Sequence, residues 1–456
     1  MGTARVATRR RRRPTRFARW LAVWTAVGLV VRILSVLGRP HRVPAADAYF
    51  YTYAANLLVE GKGFINPFLY YWEHRSVASA QFPPGFIFVL AAASLVGFKS
   101  FFAHRIWCAL LGAVAVPLWG VVGRKVAGER VGLIVALLMA VYPNIWMSNE
   151  TGLSETVIPS VVAAVLLMVY RYRERPSARR ALWTGLALGF AVLTRDELSM
   201  LGLLVVTPVV LMAAGRPWPW RLANLAVVAV VAMVVVGPWV GYNLSRFRDP
   251  VFVSTGLGPT LASTDCAQTW YGPLTGYWSW RCETQPPPSP PGYDESQVSA
   301  AAKAYAMRYV HAHESRIPIV VLARLGRGFS VYHPFQEVRL DASEGRPRHW
   351  ALVGLWMYYA LIGLGVVGLV ALRRDRASLL PLAGVALTVV IAMILSFGNI
   401  RYRTPAEGCL VVLAAAGLDY LLGRRADSAA PRRAGLGRGD DLGGGDRGGH
   451  VGRVRV

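Results

Sequence analysis

Residues 18–37 read ARWLAVWTAVGLVVRILSVL, and residues 44–53 beyond them read PAADAYFYTY. The first stretch is a predominantly apolar run of the length that crosses a bilayer as one helix. It follows an arginine-rich segment, Arg9 to Arg13, and no convincing small-residue cleavage site comes after it. It therefore reads as a first membrane span that stays in the chain. Similar runs recur at 101–122, 131–147, 153–169, 181–193, 198–212, 222–242, 350–372, 378–397 and 409–422.

Composition agrees. The 456 residues are 54% hydrophobic and only 16% charged, with a mean hydropathy of +0.38. A soluble protein carries roughly 25% charged residues, so much of this surface faces something other than water. The net charge of +25 does not point to nucleic acid. Its bases lie in short clusters between apolar runs rather than across one face, as membrane topology signals do.

Those clusters orient the runs. Arg124-Lys125 with Arg130, Arg171 to Arg180, Arg216 with Arg221, Arg373-Arg374 with Arg376, and Arg424-Arg425 occupy every second connection. The positive-inside rule places them in the cytoplasm and the acidic or mixed connections outside. Parity then requires that 82–98, which opens on Pro83-Pro84, does not cross. It reads as a juxtamembrane or re-entrant helix on the outer face. The expected fold class is an all-α integral membrane protein with about ten transmembrane helices and both termini inside.

The expected organisation is a basic cytoplasmic tail (1–17), an N-terminal membrane module (18–242) with an outer loop at 38–81, an extracytoplasmic loop (243–349), C-terminal transmembrane helices (350–423), and a disordered cytoplasmic tail (424–456). The tail is Gly, Arg and Asp with too little apolar content to bury a core. Within the large outer loop, 295–314 reads as a helix. Cys266 and Cys282 lie there on the oxidising side and are a disulfide candidate. No Walker loop, dinucleotide fingerprint, zinc motif or internal repeat is present.

Chemistry-bearing residues gather at the outer face. Asp47 follows the first span at the interface, where partial burial suits a carboxylate to proton abstraction; its bland reading is a helix cap. Tyr49 and Tyr53 share a helical face and could line a sugar site. Glu150 and Glu155 lie in a tight outer turn, with Glu150 the stronger candidate because Glu155 could merely complement a helix dipole. Arg195-Asp196-Glu197 is either part of a site or a self-paired turn. Arg401-Tyr402-Arg403 puts two arginines on the outer side against the topology trend. In an extended segment both would point the same way, toward a lipid phosphate.

Taken in order, Asp47-x-Tyr49-x3-Tyr53, Phe82-Pro83-Pro84-Gly85, Asn149-Glu150, Leu193-Thr194-Arg195, Pro238-Trp239-x3-Asn243 and Arg401-Tyr402-Arg403-x-Pro405 resemble the GT-C glycosyltransferases. The closest branch is the family 39 type, which includes protein O-mannosyltransferases and aminoarabinose transferases. The resemblance implies a GT-C-like membrane fold with an outer juxtamembrane helix. It implies transfer of a sugar, with inversion, from a polyprenyl-phosphate donor to an acceptor hydroxyl on the outer face of the cytoplasmic membrane.

Carried over by residue, Asp47 is the base or acceptor-orienting group, and Glu150 is the second acid with Glu155 as competitor. Arg401 and Arg403 face the phosphate; Tyr49, Tyr53, Arg195 and Tyr402 complete the substrate-binding set. Membrane lipid and a glycan, lipid or protein acceptor are the implied partners. No cofactor is certain, although the acids and a lipid phosphate could share a divalent cation, Mg or Mn. Asp47 is followed by Ala48 where many protein O-mannosyltransferases have a second acid, and no MIR domain is recognisable. Both departures weigh against a protein acceptor. Lys62, His74 and Arg75 are the basic options for the phosphate beyond Asp47 in the first outer loop.

Two alternatives remain: a polyprenyl-lipid transporter or flippase, and an oligosaccharide ligase. Transporters keep polar groups near the midplane and often show inverted repeats, whereas here the polar groups collect at one surface.

Overall fold

The computed structural model describes residues 15–44, 46–286 and 290–429. The arginine run Arg9 to Arg13 and most of the C-terminal tail lie outside the described residues. The chain is helical, and among the described residues the only β pairing is an isolated antiparallel bridge between Ile65 and Ala78.

The membrane module begins with α1 (Arg16–Leu37), α2 (Asp47–Val59), α3 (Pro67–Glu73) and α4 (Pro84–Leu95). Then come α5 (Phe101–Ala113) and α6 (Ala115–Ala127), followed by α7 (Glu129–Val141) and two short turns, α8 (Pro143–Trp146) and α9 (Ser148–Thr151). It continues with α10 (Ile158–Glu174), α11 (Ala178–Thr194), α12 (Thr207–Leu211) and α13 (Trp218–Leu244). Residues 257–343 fold into α14 (Leu257–Thr264), α15 (Ala267–Trp270), α16 (Trp280–Glu283), α17 (Glu295–Ala312), α18 (Ile317–Gly328) and α19 (Pro334–Ser343). The chain closes with α20 (Arg348–Leu372), α21 (Arg376–Leu395) and α22 (Ile400–Ala429).

Among the described residues, six helices are long and apolar enough to cross a membrane, or up to seven if the bent pair Glu129–Val141 and Pro143–Thr151 is one span. That is fewer than the run count predicts, and the reason is local. Helices α10 and α11 have 17 residues each, about 25 Å at 1.5 Å per residue, just short of the roughly 30 Å core. The run at 198–212 breaks into a 3-10 turn, a π-helical turn (Gly202–Val206) and α12. At 12 residues, α4 is about 18 Å long and cannot span.

The breaks have identifiable causes. Tyr142 precedes Pro143 and is extended, so α7 and the α8–α9 segment meet at 60°. Gly152, at φ +69, ends α9. Arg195 is extended after α11. Ala46, at φ 42, is a non-glycine residue in the left-handed half of the map and turns the chain into α2, so that Asp47 is its first helical residue. The polar residues of interest therefore lie on kinked backbone at helix ends.

The core is built by α5, α6, α7, α10 and α22 around Trp119, whose indole Nε1 donates to the Pro159 carbonyl at 2.9 Å. Helices α20 and α22 approach through small residues: a Cβ on Gly368 would meet the Leu413 carbonyl, and one on Gly417 the Leu364 carbonyl. Such contacts replace the hydrophobic drive that lipid removes.

Helices α14 to α19 form a cap on the bundle. Helix α17 occupies most of the stretch expected to be helical and starts on an Asp294–Gln297 capping box. Cys266 and Cys282 are bonded, with Cα atoms 5.9 Å apart. Glu295 accepts from the Ala80 amide at 2.8 Å, tying the cap to the loop before α4.

Gly368→Ala is expected to lower the thermal unfolding midpoint in detergent by the equivalent of about 1–3 kcal/mol. Gly363→Ala on the same helix, where a Cβ has nothing within 4 Å, should leave it unchanged.

Candidate functional site

Asp47, at the start of α2, accepts from Nη2 of Arg401 at 2.9 Å through Oδ2. Arg401 lies in the first turn of α22, its amide held by the Asn399 side chain at 2.8 Å. Its Nε donates to Oε1 of Glu155 at 2.6 Å. The same Oε1 accepts from Nη1 of Arg195 at 2.9 Å, and Nε of Arg195 pairs with Glu197 at 2.5 Å. Four helix ends, far apart in sequence, thus converge through one buried carboxylate.

Exposure separates the roles. The Glu155 side chain is 1% exposed and Asp47 is 32% exposed. Glu155 is fully enclosed by the two guanidiniums and aims them. Asp47 is the open end of the chain of charges, where a substrate hydroxyl can reach it. The sequence favoured Glu150 as second acid, but the structure brings Glu155 to Asp47 and puts Glu150 elsewhere, 3.4 Å from Arg39. The helix break at Gly152 separates the two acids.

Arg401 and Arg403 also part company. An extended segment would have aligned them, but the backbone here is helical, so residues two apart point about 200° from one another. Arg403 turns inward. Its Nε donates to Glu407 at 2.6 Å, its Nη1 to the Gly328 carbonyl at 3.1 Å and to Ser330 Oγ at 3.0 Å, and it covers the Tyr358 ring at 3.5 Å. That guanidinium is a buried brace between the cap and α22, not a surface that meets a lipid phosphate. Tyr402 instead supports Arg195, whose guanidinium lies 5.2 Å from its ring centre.

Tyr49 and Tyr53 do share a face, with ring centres 4.2 Å apart. Tyr49 stacks on Phe68 at 4.9 Å and reaches Trp72 at 5.3 Å. Residues two apart on α2 diverge, so this aromatic platform lies beside Asp47 and turns away from its charges. Tyr51, four residues beyond Asp47, is the tyrosine on the Asp47 face, and it is buried. Among the basic options of the first outer loop, Arg75 pairs with Glu73 at 3.1 Å in the open.

The cap adds residues that no sequence signal singled out. Glu344 lies 3.6 Å from Nη1 of Arg401. It accepts from Tyr277 at 3.2 Å, Trp278 at 3.1 Å and Asn399 at 3.2 Å. Burial pushes the Glu283 carboxyl up to about 7, and the nearby charge of Asp47 adds to it. Burial likewise raises Asp196 to about 6, although Ser254 donates to it. The carboxylates are spaced by the guanidiniums between them. Among the described residues, no three His, Cys, Asp or Glu side chains come together in a way that could hold a metal ion.

The arrangement has known relatives in shape. The oligosaccharyltransferase AglB of Archaeoglobus fulgidus, in complex with an inhibitory peptide and a dolichol-phosphate, superposes with a TM-score of 0.54 at 14% identity, covering 92% of this chain and 52% of that one. The apo oligosaccharyltransferase of the same organism gives 0.52 at 16% identity, covering 91% and 52%. The chain has the GT-C fold. Residues 81–242 also match the family described as dolichyl-phosphate-mannose-protein mannosyltransferase. No curated protein matches the chain. The chain spans about half the length of the solved structures it resembles.

Removing a buried partner costs more than removing an open one. Glu155→Gln leaves two guanidiniums undercompensated and should destabilise by about 3–5 kcal/mol. Asp47→Asn breaks a half-open pair and should cost about 1 kcal/mol or less. Unfolding midpoints of the two variants against the parent check the order.

A pH dependence follows from Asp341 in α19, which burial pushes from 3.8 up to about 7 against the pull of Arg346. Its folded-state pKa exceeds its unfolded one, so its contribution to stability is full below 3.8 and is lost as pH rises through about 7. Asp341→Asn should therefore raise the unfolding midpoint above pH 7 and leave it nearly unchanged below 3.8, which flattens the midpoint-against-pH curve.

Proposed function

We propose that the protein is a glycosyltransferase that moves a single sugar from a polyprenyl-phosphate donor to an acceptor hydroxyl at the outer face of the cytoplasmic membrane. The observation that carries this reading is the Asp47–Arg401–Glu155–Arg195 chain, with its one open carboxylate beside two guanidiniums aimed from behind. The GT-C fold and the family match over 81–242 support it. So does the alternation of basic and acidic connections, which by the positive-inside rule favours a site opposite the cytoplasm with both termini inside.

In this mechanism the acceptor oxygen attacks the anomeric carbon from the face opposite the phosphate. The carbon–oxygen bond to phosphate breaks with inversion, and the acceptor proton passes to Asp47. Arg401 and Arg195 stabilise the charge that develops on the leaving phosphate. Arg401 reaches Asp47 with one nitrogen and Glu155 with another, so a single guanidinium links the base to the anion site. The platform of Tyr49, Tyr53, Phe68 and Trp72 offers ring faces to the sugar or to a carbohydrate acceptor.

The test is transfer by the reconstituted protein from radiolabelled polyprenyl-phosphate sugars to membrane extract. Wild type should move label, and Asp47→Asn, with its unfolding midpoint retained, should be slower by about 10²–10⁴-fold. Full activity in Asp47→Asn would remove Asp47 from the reaction. Movement of intact lipid across the bilayer without transfer would replace the transferase reading with transport.

A further inference from the structure

A second charged site lies apart from the Asp47 cluster and shares no residue with it. Arg39 and Arg42 follow α1, Arg105 projects from α5, and Glu150 comes from α9. The three guanidiniums and the carboxylate are close enough to act on one another's charge. Arg39 lies 3.4 Å from Glu150. Arg105 is fully buried and spends one nitrogen, Nη1, on the Arg39 carbonyl at 2.7 Å. Its Nε and Nη2 have no hydrogen-bond partner, and neither does Nη1 of Arg42. Burial, and then the Arg105 charge, push the Arg42 guanidinium down to about 10. Unsatisfied donors at this depth are costly unless an acceptor meets them.

The surroundings specify the acceptor. Three guanidiniums against one carboxylate leave an excess positive charge of two. A phosphate monoester carries about −1.5 to −2 near neutral pH and presents three strong acceptor oxygens. A diester carries a single charge and would leave the cluster undercompensated. Beside Arg39 and Glu150 a groove of 610 Å³ opens, walled by Leu34 of α1, Val141 of α7, Trp146 of α8 and Trp350 of α20. Its size falls within the roughly 300–1,000 Å³ of small-ligand sites. Leu34 is 61% exposed and Trp350 40%, on helices long enough to span the bilayer, so the groove continues into surface that lipid covers.

We propose that Arg39, Arg42 and Arg105 bind the headgroup of a single-chain lipid phosphate monoester whose chain lies in the groove between α1, α7 and α20. This site is distinct from the phosphate that leaves at Arg401, and it does not depend on the transferase reading. Glu150 limits its charge and lets the lipid exchange.

Native mass spectrometry of the full chain with farnesyl phosphate tests the idea. Wild type should retain one more farnesyl phosphate per chain than the double variant Arg39→Gln, Arg42→Gln, and bind it about tenfold more tightly or better. Glu150→Gln should hold it more tightly than wild type, a gain that a purely structural role would not produce. Unfolding midpoints identify any variant that fails to fold, and Glu150→Gln then decides alone. Equal retention by wild type and a folded double variant overturns the proposal, as does unchanged or weaker binding in Glu150→Gln. Equally tight binding of phosphatidylglycerol, a diester, overturns the monoester assignment, and equally tight binding of inorganic phosphate overturns the lipid.

Discussion

Glu155 is the constraint on which the site depends. A carboxylate that is almost wholly enclosed is costly unless neutralised, and this one is met by two guanidiniums that share a single oxygen. The pairing forces the start of α22, the turn after α11 and the turn before α10 to one point. Each of those points is non-helical or newly helical backbone, and the two turns beside α10 and α11 bound helices of only 17 residues each. The modest length of α10 and α11 and the clustering of charge are therefore two views of one fact.

The cap completes what the membrane helices begin. Arg327 of α18 is fully buried and donates to Glu337 of α19 at 2.6 Å, and its Nε donates to the Thr275 carbonyl at 2.6 Å. Arg403 reaches from α22 to the end of α18. These ion pairs hold α19 in place, so that Glu344 at its end meets Arg401. Arginine suits such joints, because its planar fork satisfies several acceptors at once and keeps its charge when buried. The network surrounds the catalytic candidate with fixed dipoles, and only Asp47 keeps a substantially open face.

Charge is divided unequally at this end of the bundle. Carboxylates outnumber guanidiniums around Asp47, and guanidiniums outnumber carboxylates around Arg39. The five-residue step from Glu150 to Glu155, folded around Gly152, contributes one acid to each.

The sequence by itself determined the membrane class, the order of apolar runs, the failure of 82–98 to reach spanning length, the helix near 295–312 and the position of Asp47, Arg195 and Arg401 at the ends of apolar runs. Apolar length, proline position and capping residues are local properties, and they survive folding. What only the tertiary structure decided was partnership. In sequence Glu150 looked the stronger acid and Glu155 a helix-dipole residue, yet the break at Gly152 sends them to different sites and brings Glu155 to Arg401. Arg401 and Arg403 looked parallel because the period of two was assumed, and a helix start gave them opposite faces. Glu344, Glu283 and Tyr51 carried no signal, since a single polar residue becomes part of a site only when distant backbone delivers it there. Long-range charge pairing has no sequence period, so it had to be seen.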